Sequence, residues 1–173
     1  MLNKVSAIMN GCLVFGTIAA GYMVASNQET ENVVDLVENP PHYFAEDKRQ
    51  LKCLAANVYF EARGSSDEDQ YAVAHVTMNR VASSRYSDDV CEVVYQEYQF
   101  SWTLEDADYR TVKEEEAWYK SARVALDVMS GKSEDPTGGA THYFAHYKID
   151  PPRWVEASYD VVMLDQHTYM KVR

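Results

Sequence analysis

LKCLAANVYFEARG, residues Leu51–Gly64, is the stretch that decides the fold. Its apolar side chains recur at the spacing of one helical face. They are Leu51, Leu54, Ala55, Val58 and Ala62. At about 100° per residue, Glu61 falls within roughly 20° of Leu54, on the flank of that face. Burial there is expected to raise the pKa of the Glu61 carboxyl, as a general acid at neutral pH requires. The alternative is a solvated glutamate paired with a lysine or arginine.

The composition indicates a folded, acidic protein. Of 173 residues, 46% are apolar, and 27 acidic against 16 basic residues give a net charge of −11. The length suits one domain with an appendage. No basic patch stands out, so we expect no nucleic-acid partner. The 13 tyrosines suit sugar-binding clefts as well as ordinary half-buried surfaces.

The N-terminal segment is predicted to export the rest of the chain. Val5–Ala25 carries no charged residue and is long enough to span a bilayer as a helix. Lys4 precedes it and acidic residues follow it, which favours a cytoplasmic N-terminus and an exported domain. We interpret residues 1–26 as a signal-anchor or signal peptide, 27–46 as an acidic linker, and 47–173 as the candidate catalytic domain.

Three fates of the segment stay open. The small residues Val24-Ala25-Ser26 suit signal-peptide cleavage, whereas an uncleaved segment would anchor the domain to the membrane. A glycine- and alanine-rich segment with Cys12 also resembles the releasable signal-anchors of phage endolysins. All three export the domain, and an oxidising compartment permits a disulfide between Cys53 and Cys91. The sequence does not establish that pairing.

The order of elements predicts an α+β fold, with helices first and strands at the end. Helices are expected over 46–62, 67–83 and about 111–130, with a short helix or turn over 88–95. A β-like segment is expected over 141–147, and a hairpin from the strands 161–164 and 168–172. Residues 99–103 are interpreted as a loop or the start of a strand. Capping boxes are predicted at Ser65–Glu68 and Thr111–Glu114, and helix-ending glycines at Gly64 and Gly131.

Several blocks follow one another in a distinctive order. They read E-A-R-G at 61–64 with A-V-A-H-V-T-M-N-R at 72–80, C-E-V-V-Y and Q-F-S at 91–95 and 99–101, G-A-T-H-Y-F-A at 139–145, and H-T-Y at 167–169. Over residues 48–173 these blocks resemble the SleB-type cell wall hydrolases, the family of the spore-cortex-lytic enzymes. The resemblance implies a lysozyme-like fold, mainly helical with a small C-terminal antiparallel sheet or hairpin.

The resemblance also implies a reaction, cleavage of the peptidoglycan glycan strand between N-acetylmuramic acid and N-acetylglucosamine, with Glu61 as general acid and base. The expected enzyme is a lytic transglycosylase, which needs one carboxyl, or a muramidase. A second carboxylate for an inverting hydrolase would come from Asp67, Asp69, Asp88 or Asp89. The substrate-binding candidates are Gln99, Ser101, Thr141, His142 and Tyr143. Each could line the substrate cleft or have a purely structural role. We expect a monomer that has peptidoglycan as its partner and uses no cofactor or metal.

The sequence departs from the family pattern in two ways. The closing block lacks its glycine, reading Asp165-Gln166-His167, and no peptidoglycan-binding repeat is present. Both features favour a phage endolysin or a host wall enzyme over a spore-cortex enzyme.

Two other functions compete. His142 and His146 have the i, i+4 spacing of zinc ligands on a helix, which would suit a metal-dependent amidase or peptidase. Tyr143 replaces the glutamate of H-E-x-x-H, however, and on a strand the two histidines would lie about 13 Å apart. The third possibility is a membrane-tethered peptidoglycan binder without catalysis, against which the E-A-R-G context of Glu61 argues.

Overall fold

The computed structural model describes residues 45–172, with side chains described from Asp47. The predicted signal segment 1–26 and almost all of the predicted linker 27–46 lie outside this range. Between residues 45 and 172, no helix combines the length and the apolarity needed to cross a bilayer.

The described region contains four α-helices followed by a three-stranded antiparallel sheet, which confirms the predicted α+β architecture. The helices are α1 (Ala45–Ala62), α2 (Asp67–Val81), α3 (Val90–Tyr95) and α4 (Glu115–Met129). The strands are β1 (His142–Ala145), β2 (Ser158–Met163) and β3 (His167–Val172). Two 3₁₀ helices, Ser101–Leu104 and Arg153–Ala157, lie in the connections.

Helix α1 is the centre of the helical half. The predicted apolar stripe of Leu51, Leu54, Ala55 and Val58 is buried and packs against α2, α3 and α4. A disulfide joins Cys53 of α1 to Cys91 of α3. Since α1 is held from three sides, the carboxyl in its last turn has a fixed support.

The sheet brings the C-terminal blocks together in the order β1-β3-β2. β3 is the central strand and its first four residues, 167–170, are buried. In the antiparallel pair β1–β3, Tyr143 lies opposite Tyr169, so their side chains share one face of the sheet. This face packs toward the end of α1.

The turn between α1 and α2 differs from the predicted capping box by one residue. Ser65 is buried and donates its hydroxyl to the Ala62 carbonyl at 2.7 Å, which closes α1. The cap of α2 is therefore Ser66, whose oxygen accepts from the Asp69 amide. Gly64 follows the helix but is not among the positive-φ glycines, so the predicted glycine ending is wrong there.

The capping box predicted at Thr111 is also wrong. Thr111 Oγ1 donates to the Ala107 carbonyl, and α4 starts after Glu114, which makes no side-chain capping bond. The hydroxyl of Tyr59 accepts from the amides of Lys113 and Glu114, each at 3.1 Å. A tertiary contact from α1 thus fixes the chain immediately before α4.

At the other end of α4 the predicted glycine is confirmed. Gly131 has φ +69°, its amide donates to Val128, and the next amide, of Lys132, donates to Asp127. This is the Schellman pattern, in which a left-handed residue satisfies the last carbonyls.

In the segment 99–103, expected as a loop or strand start, the last three residues belong to the 3₁₀ helix Ser101–Leu104. Trp102 is buried and donates its indole N–H to Asn57 Oδ1 at 3.0 Å. Asn57, itself buried in α1, donates to Thr77 Oγ1. These two hydrogen bonds hold Trp102 in the core, which is consistent with the helical turn of the backbone at this position.

Candidate active site

Glu61 lies in the last turn of α1, partly buried, where the sequence placed it. The Tyr143 hydroxyl donates to its Oε2 at 3.0 Å. Burial raises the pKa of the Glu61 carboxyl, and this outweighs the opposing effects of the Tyr143 hydrogen bond and of the charges of His167, Lys148 and Arg80. The predicted desolvation of this carboxyl is thus confirmed. Within the described region, Oε1 has no hydrogen-bond donor, so it is the oxygen available to carry a proton.

Tyr143 connects the sheet to this carboxyl. Burial, and then the charge of Glu61, raise the pKa of the Tyr143 hydroxyl well above its usual range. The hydroxyl therefore stays protonated and remains a donor at neutral pH. Its ring packs edge-on against His167, with centroids 5.1 Å apart, and lies 5.5 Å from the Tyr169 ring.

A buried polar cluster of Asp69, His167 and Tyr169 packs against the Tyr143 ring. His167 Nδ1 contacts Asp69 Oδ2 at 2.8 Å, and the Tyr169 hydroxyl donates to Asp69 Oδ1 at 2.6 Å. Burial raises the pKa of Asp69, but the hydrogen bonds from His167 and Tyr169 outweigh it and leave the pKa lowered. Asp69 is therefore an ionised carboxylate whose charge is compensated inside the fold. The cluster fixes the face of β3 on which Tyr143 rests.

Arg80 and Asn79, near the end of α2, tie this helix to the segment that precedes β1. Arg80 is buried, donates from Nε to the Thr141 carbonyl at 2.8 Å, and stacks over the Phe100 ring at 5.0 Å. Asn79 donates to Asp135 and to the Ala140 carbonyl. Arg80 and Asn79 are therefore scaffold residues. They hold the backbone immediately before β1 and so help to position Tyr143.

The other candidates have different positions. Gln99 is half-buried and Ser101 is exposed at the start of the first 3₁₀ helix. It is the intervening Phe100 that lies against Tyr143, with ring centroids 6.4 Å apart. Phe100 was not among the candidates, and only its place inside the Q-F-S block marked it.

Thr141 and His142 precede Tyr143 directly in the chain, and their side chains contact each other. Thr141 Oγ1 and His142 Nδ1 are 3.0 Å apart, and the His142 ring lies 5.5 Å from Trp154. Burial, and then the charges of Arg80 and Arg85, lower the pKa of His142. His142 is therefore a neutral imidazole at pH 7. Of the five substrate-binding candidates, Tyr143 is the one that hydrogen-bonds to Glu61 within the part of the chain that the structure describes.

The candidate second carboxylates are engaged elsewhere. Asp67 pairs with Lys120 on the surface, and Asp89 pairs with Arg49 while capping α3. Asp69 lies in the buried cluster, and Asp88 is exposed. Among residues 47–172, the group that touches the Glu61 carboxyl is a phenol and not a second acid.

His142 and His146, the two candidate zinc ligands, lie in and just after β1. His146 Nδ1 contacts Thr168 Oγ1 at 3.0 Å. Residues 47–172 contain no group of three His, Cys, Asp or Glu side chains placed to hold a metal ion.

Comparison with known proteins decides the family. The model of the family described as Cell Wall Hydrolase matches residues 64–170, which is more than half of the sequence. The chain belongs to the cell wall hydrolase family. The match begins three residues after Glu61, so the role of this carboxyl is a separate question.

This cell wall hydrolase is 34% identical, over 117 residues, to a spore cortex-lytic enzyme of Halalkalibacterium halodurans, covering 68% of its own length and 33% of the relative. A spore cortex-lytic enzyme of Bacillus cereus is 29% identical over 133 residues, covering 77% of this chain and 48% of the relative. The chain thus spans between a third and a half of these relatives.

Two solved structures share the fold. The catalytic domain of the Bacillus cereus SleB protein matches with a TM-score of 0.60 at 27% identity, over 72% of this chain and 91% of that one. The catalytic domain of a germination-specific lytic transglycosylase, SleB from Bacillus anthracis, matches with a TM-score of 0.60 at 26% identity, over 76% and 99%. The fold is thus the lysozyme-like one implied by the sequence blocks.

Proposed function

We propose that this domain degrades peptidoglycan by cleaving its glycan strand, with Glu61 as the general acid and base. Family membership supports wall degradation, and a neighbouring structure described as a lytic transglycosylase supports the glycosidic bond as the target. The observation that carries the proposal is the Glu61 carboxyl, whose pKa burial raises while Tyr143 holds one of its oxygens. A fixed carboxyl with a raised pKa is what protonation of a glycosidic oxygen requires.

The proposed reaction needs one carboxyl. The proton on Glu61 Oε1 passes to the glycosidic oxygen as the bond from that oxygen to the muramic C1 breaks, through an oxocarbenium-like transition state. The resulting carboxylate accepts the proton of the 6-hydroxyl on the same muramic ring, and O6 bonds to C1. The product carries a 1,6-anhydro end, and Glu61 is again protonated. If water replaces the 6-hydroxyl, the product has a reducing end and the enzyme is a muramidase.

Tyr143 has the role of a positioning donor in this scheme. Its hydrogen bond fixes the rotation of the Glu61 carboxyl, so Oε1 keeps one direction. The Asp69–His167–Tyr169 cluster holds Tyr143 in turn. Thr141 and His142, at the start of β1, are proposed as substrate contacts, as are Gln99 and Ser101 at the start of the first 3₁₀ helix.

We further propose that the domain works outside the cytoplasm as a monomer. Residues 1–26 would act as a signal-anchor or signal peptide that links it to the membrane or exports it, and the protein would serve cell lysis or wall remodelling. The Cys53–Cys91 disulfide supports an oxidising compartment.

The test is Glu61→Gln, a neutral substitution of the same shape. We expect loss of at least about a thousandfold in the rate of murein solubilisation, the cost of removing an essential proton donor. Glu68→Gln, at an exposed position in the first turn of α2, is the matched control and should keep wild-type activity. A folded Glu61→Gln variant that solubilises murein at the wild-type rate would show the assignment to be wrong. Mass spectra of the products distinguish anhydro from reducing ends.

A further inference from the structure

A concave feature that reaches Phe60, in the last turn of α1, is called here the aromatic pocket. It encloses about 310 Å³, at the lower end of the range for ligand sites. Its walls come from α1, the end of α3, the first 3₁₀ helix, the loop before α4, and α4 itself. The lining residues are Lys52, Cys53, Ala56, Phe60, Tyr95, Trp102, Arg110, Val112 and Trp118.

The lining chemistry differs from the rest of this acidic protein. Aromatic rings make up much of the wall, with Phe60 stacked on Trp102 at 4.7 Å. The charged groups in the lining are Lys52 and Arg110, and the described lining residues include no carboxylate. In a chain with a net charge of −11, such a site favours a ligand that combines apolar groups with negative charge.

The pocket walls are braced before any ligand arrives. The disulfide holds Cys53 to Cys91 of α3, and Trp102 is fixed by its hydrogen bond to the buried Asn57. A ligand therefore enters a preformed cavity and loses little free energy to ordering its walls.

Neighbouring residues connect the aromatic pocket with the surroundings of Glu61. Phe60 lines the pocket and immediately precedes the candidate acid. The Tyr109 ring centroid lies 6.1 Å from that of Phe60, and Lys148 interacts electrostatically with both Tyr109 and Glu61. Along α1, Lys52 lies eight residues before Phe60, about 12 Å at 1.5 Å per residue.

We propose that the aromatic pocket binds the acidic stem peptide carried by the muramic acid, an inference that rests on the proposed function. The glycan backbone is uncharged, and the peptide branch is where peptidoglycan carries carboxylates. A four-residue stem extends about 13 Å, which is comparable to the rise of about 12 Å along α1 between Lys52 and Phe60. The peptide's apolar side chains would lie on the aromatic wall, and its carboxylates would meet Arg110 and Lys52. The pocket would thus make the enzyme select peptide-bearing glycan.

One double variant and a matched control isolate the proposed contact. Lys52→Gln/Arg110→Gln removes both cations of the pocket without touching Glu61. Lys120→Gln/Lys132→Gln makes the same change in net charge at positions outside the pocket. Both doubles are assayed in the full chain, on murein with its stem peptides and on the same murein stripped of peptides.

We expect the wild type and the control to favour peptide-bearing murein by about tenfold in kcat/KM, the size of two partly exposed charge contacts. The pocket double should lose this preference and cleave the stripped glycan within about twofold of wild type. The proposal is overturned if the wild type shows no preference, or if the pocket double keeps it.

Binding separates this proposal from the function on which it rests. Titration of the Glu61→Gln chain with a soluble disaccharide–tetrapeptide should give an affinity about tenfold higher than with the bare disaccharide, and the pocket substitutions should remove the difference. Equal affinities would contradict the peptide site even if the enzyme cleaves murein. A difference in affinity without any murein cleavage by the wild type would contradict the proposed reaction and leave the peptide site standing.

Discussion

The hydroxyl of Tyr143 lies 3.0 Å from Oε2 of Glu61 and joins the first strand of the sheet to the last turn of the central helix. The contact links the two halves of the fold at one hydrogen bond. Its effect on the carboxyl opposes that of burial, because a donor stabilises the charged form. Removing the donor should therefore change the pKa of Glu61.

Tyr143→Phe tests this directly. The pKa of Glu61 should rise further, because burial then acts against a weaker stabilisation of the carboxylate. Activity that needs protonated Glu61 should extend to higher pH, so the alkaline limb of the kcat profile moves upward. At the optimum, kcat should fall about tenfold because the carboxyl loses its fixed orientation. The measurement is kcat on murein from pH 4 to 9.

The control for that variant is Tyr98→Phe, which removes a hydroxyl from a 77% exposed side chain. Its pH profile should match the wild type. An unmoved alkaline limb in Tyr143→Phe would mean that the hydrogen bond has no influence on the acid.

Glu61→Gln should stabilise the protein at neutral pH. Because the folded pKa is raised above the ordinary 4.5, the folded state binds more protons than the unfolded state between those two values. The free energy of unfolding therefore falls as pH rises through that interval. At pH 7 the buried, ionised Glu61 carboxylate destabilises the folded state. The neutral glutamine avoids this cost and should add about 1 kcal/mol at pH 7.5, as changes at strained functional sites commonly do.

The check is urea unfolding of both proteins at pH 7.5 and at pH 4. The advantage of the variant should shrink at pH 4, where the wild-type carboxyl is protonated. Equal stability at pH 7.5 would contradict the raised pKa.

Much of this architecture could be predicted from local patterns. The apolar period of α1 located Glu61 on a half-buried flank, and the C-terminal alternation located the hairpin. Caps were harder, since Tyr59 supplies the acceptor at the start of α4 from 54 and 55 residues away. The pairing of Asp69 with His167 spans 98 residues, and no local rule connects two such positions. Asp69 was a candidate second acid, whereas its actual partners make it a support for Tyr143.

The disulfide should contribute a large share of the stability. It closes a loop with a sequence separation of 38, for which restriction of the unfolded chain predicts about 4 kcal/mol. Cys53→Ser/Cys91→Ser should lose about that amount in urea unfolding under oxidising conditions. Adding reductant to the wild type should reproduce the loss, and adding it to the double variant should change nothing further. A loss below about 1 kcal/mol would mean that α1 and α3 are held mainly by packing.

Asp69→Asn should be strongly destabilising in a way that depends on pH. The carboxylate is fully buried and balanced by His167 and Tyr169, so replacing it leaves their donors mispaired at a cost of about 3 kcal/mol. Because the folded pKa of Asp69 lies below the ordinary 3.8, its stabilisation is present above pH 3.8 and is lost as pH falls through the folded value. The difference between variant and wild type in urea unfolding should therefore be large at pH 7 and smaller at pH 2.5.

Asp67→Asn is the matched control for that experiment, two residues earlier in the same helix. Its carboxylate is 76% exposed and pairs with Lys120 on the surface, so the change should cost less than about 1 kcal/mol at either pH. Unfolding of both variants is followed by tryptophan fluorescence, to which the buried Trp102 contributes. Similar losses in the two variants, or an Asp69→Asn cost that is the same at pH 7 and pH 2.5, would mean that the Asp69 carboxylate is not the charged support of the Tyr143 ring.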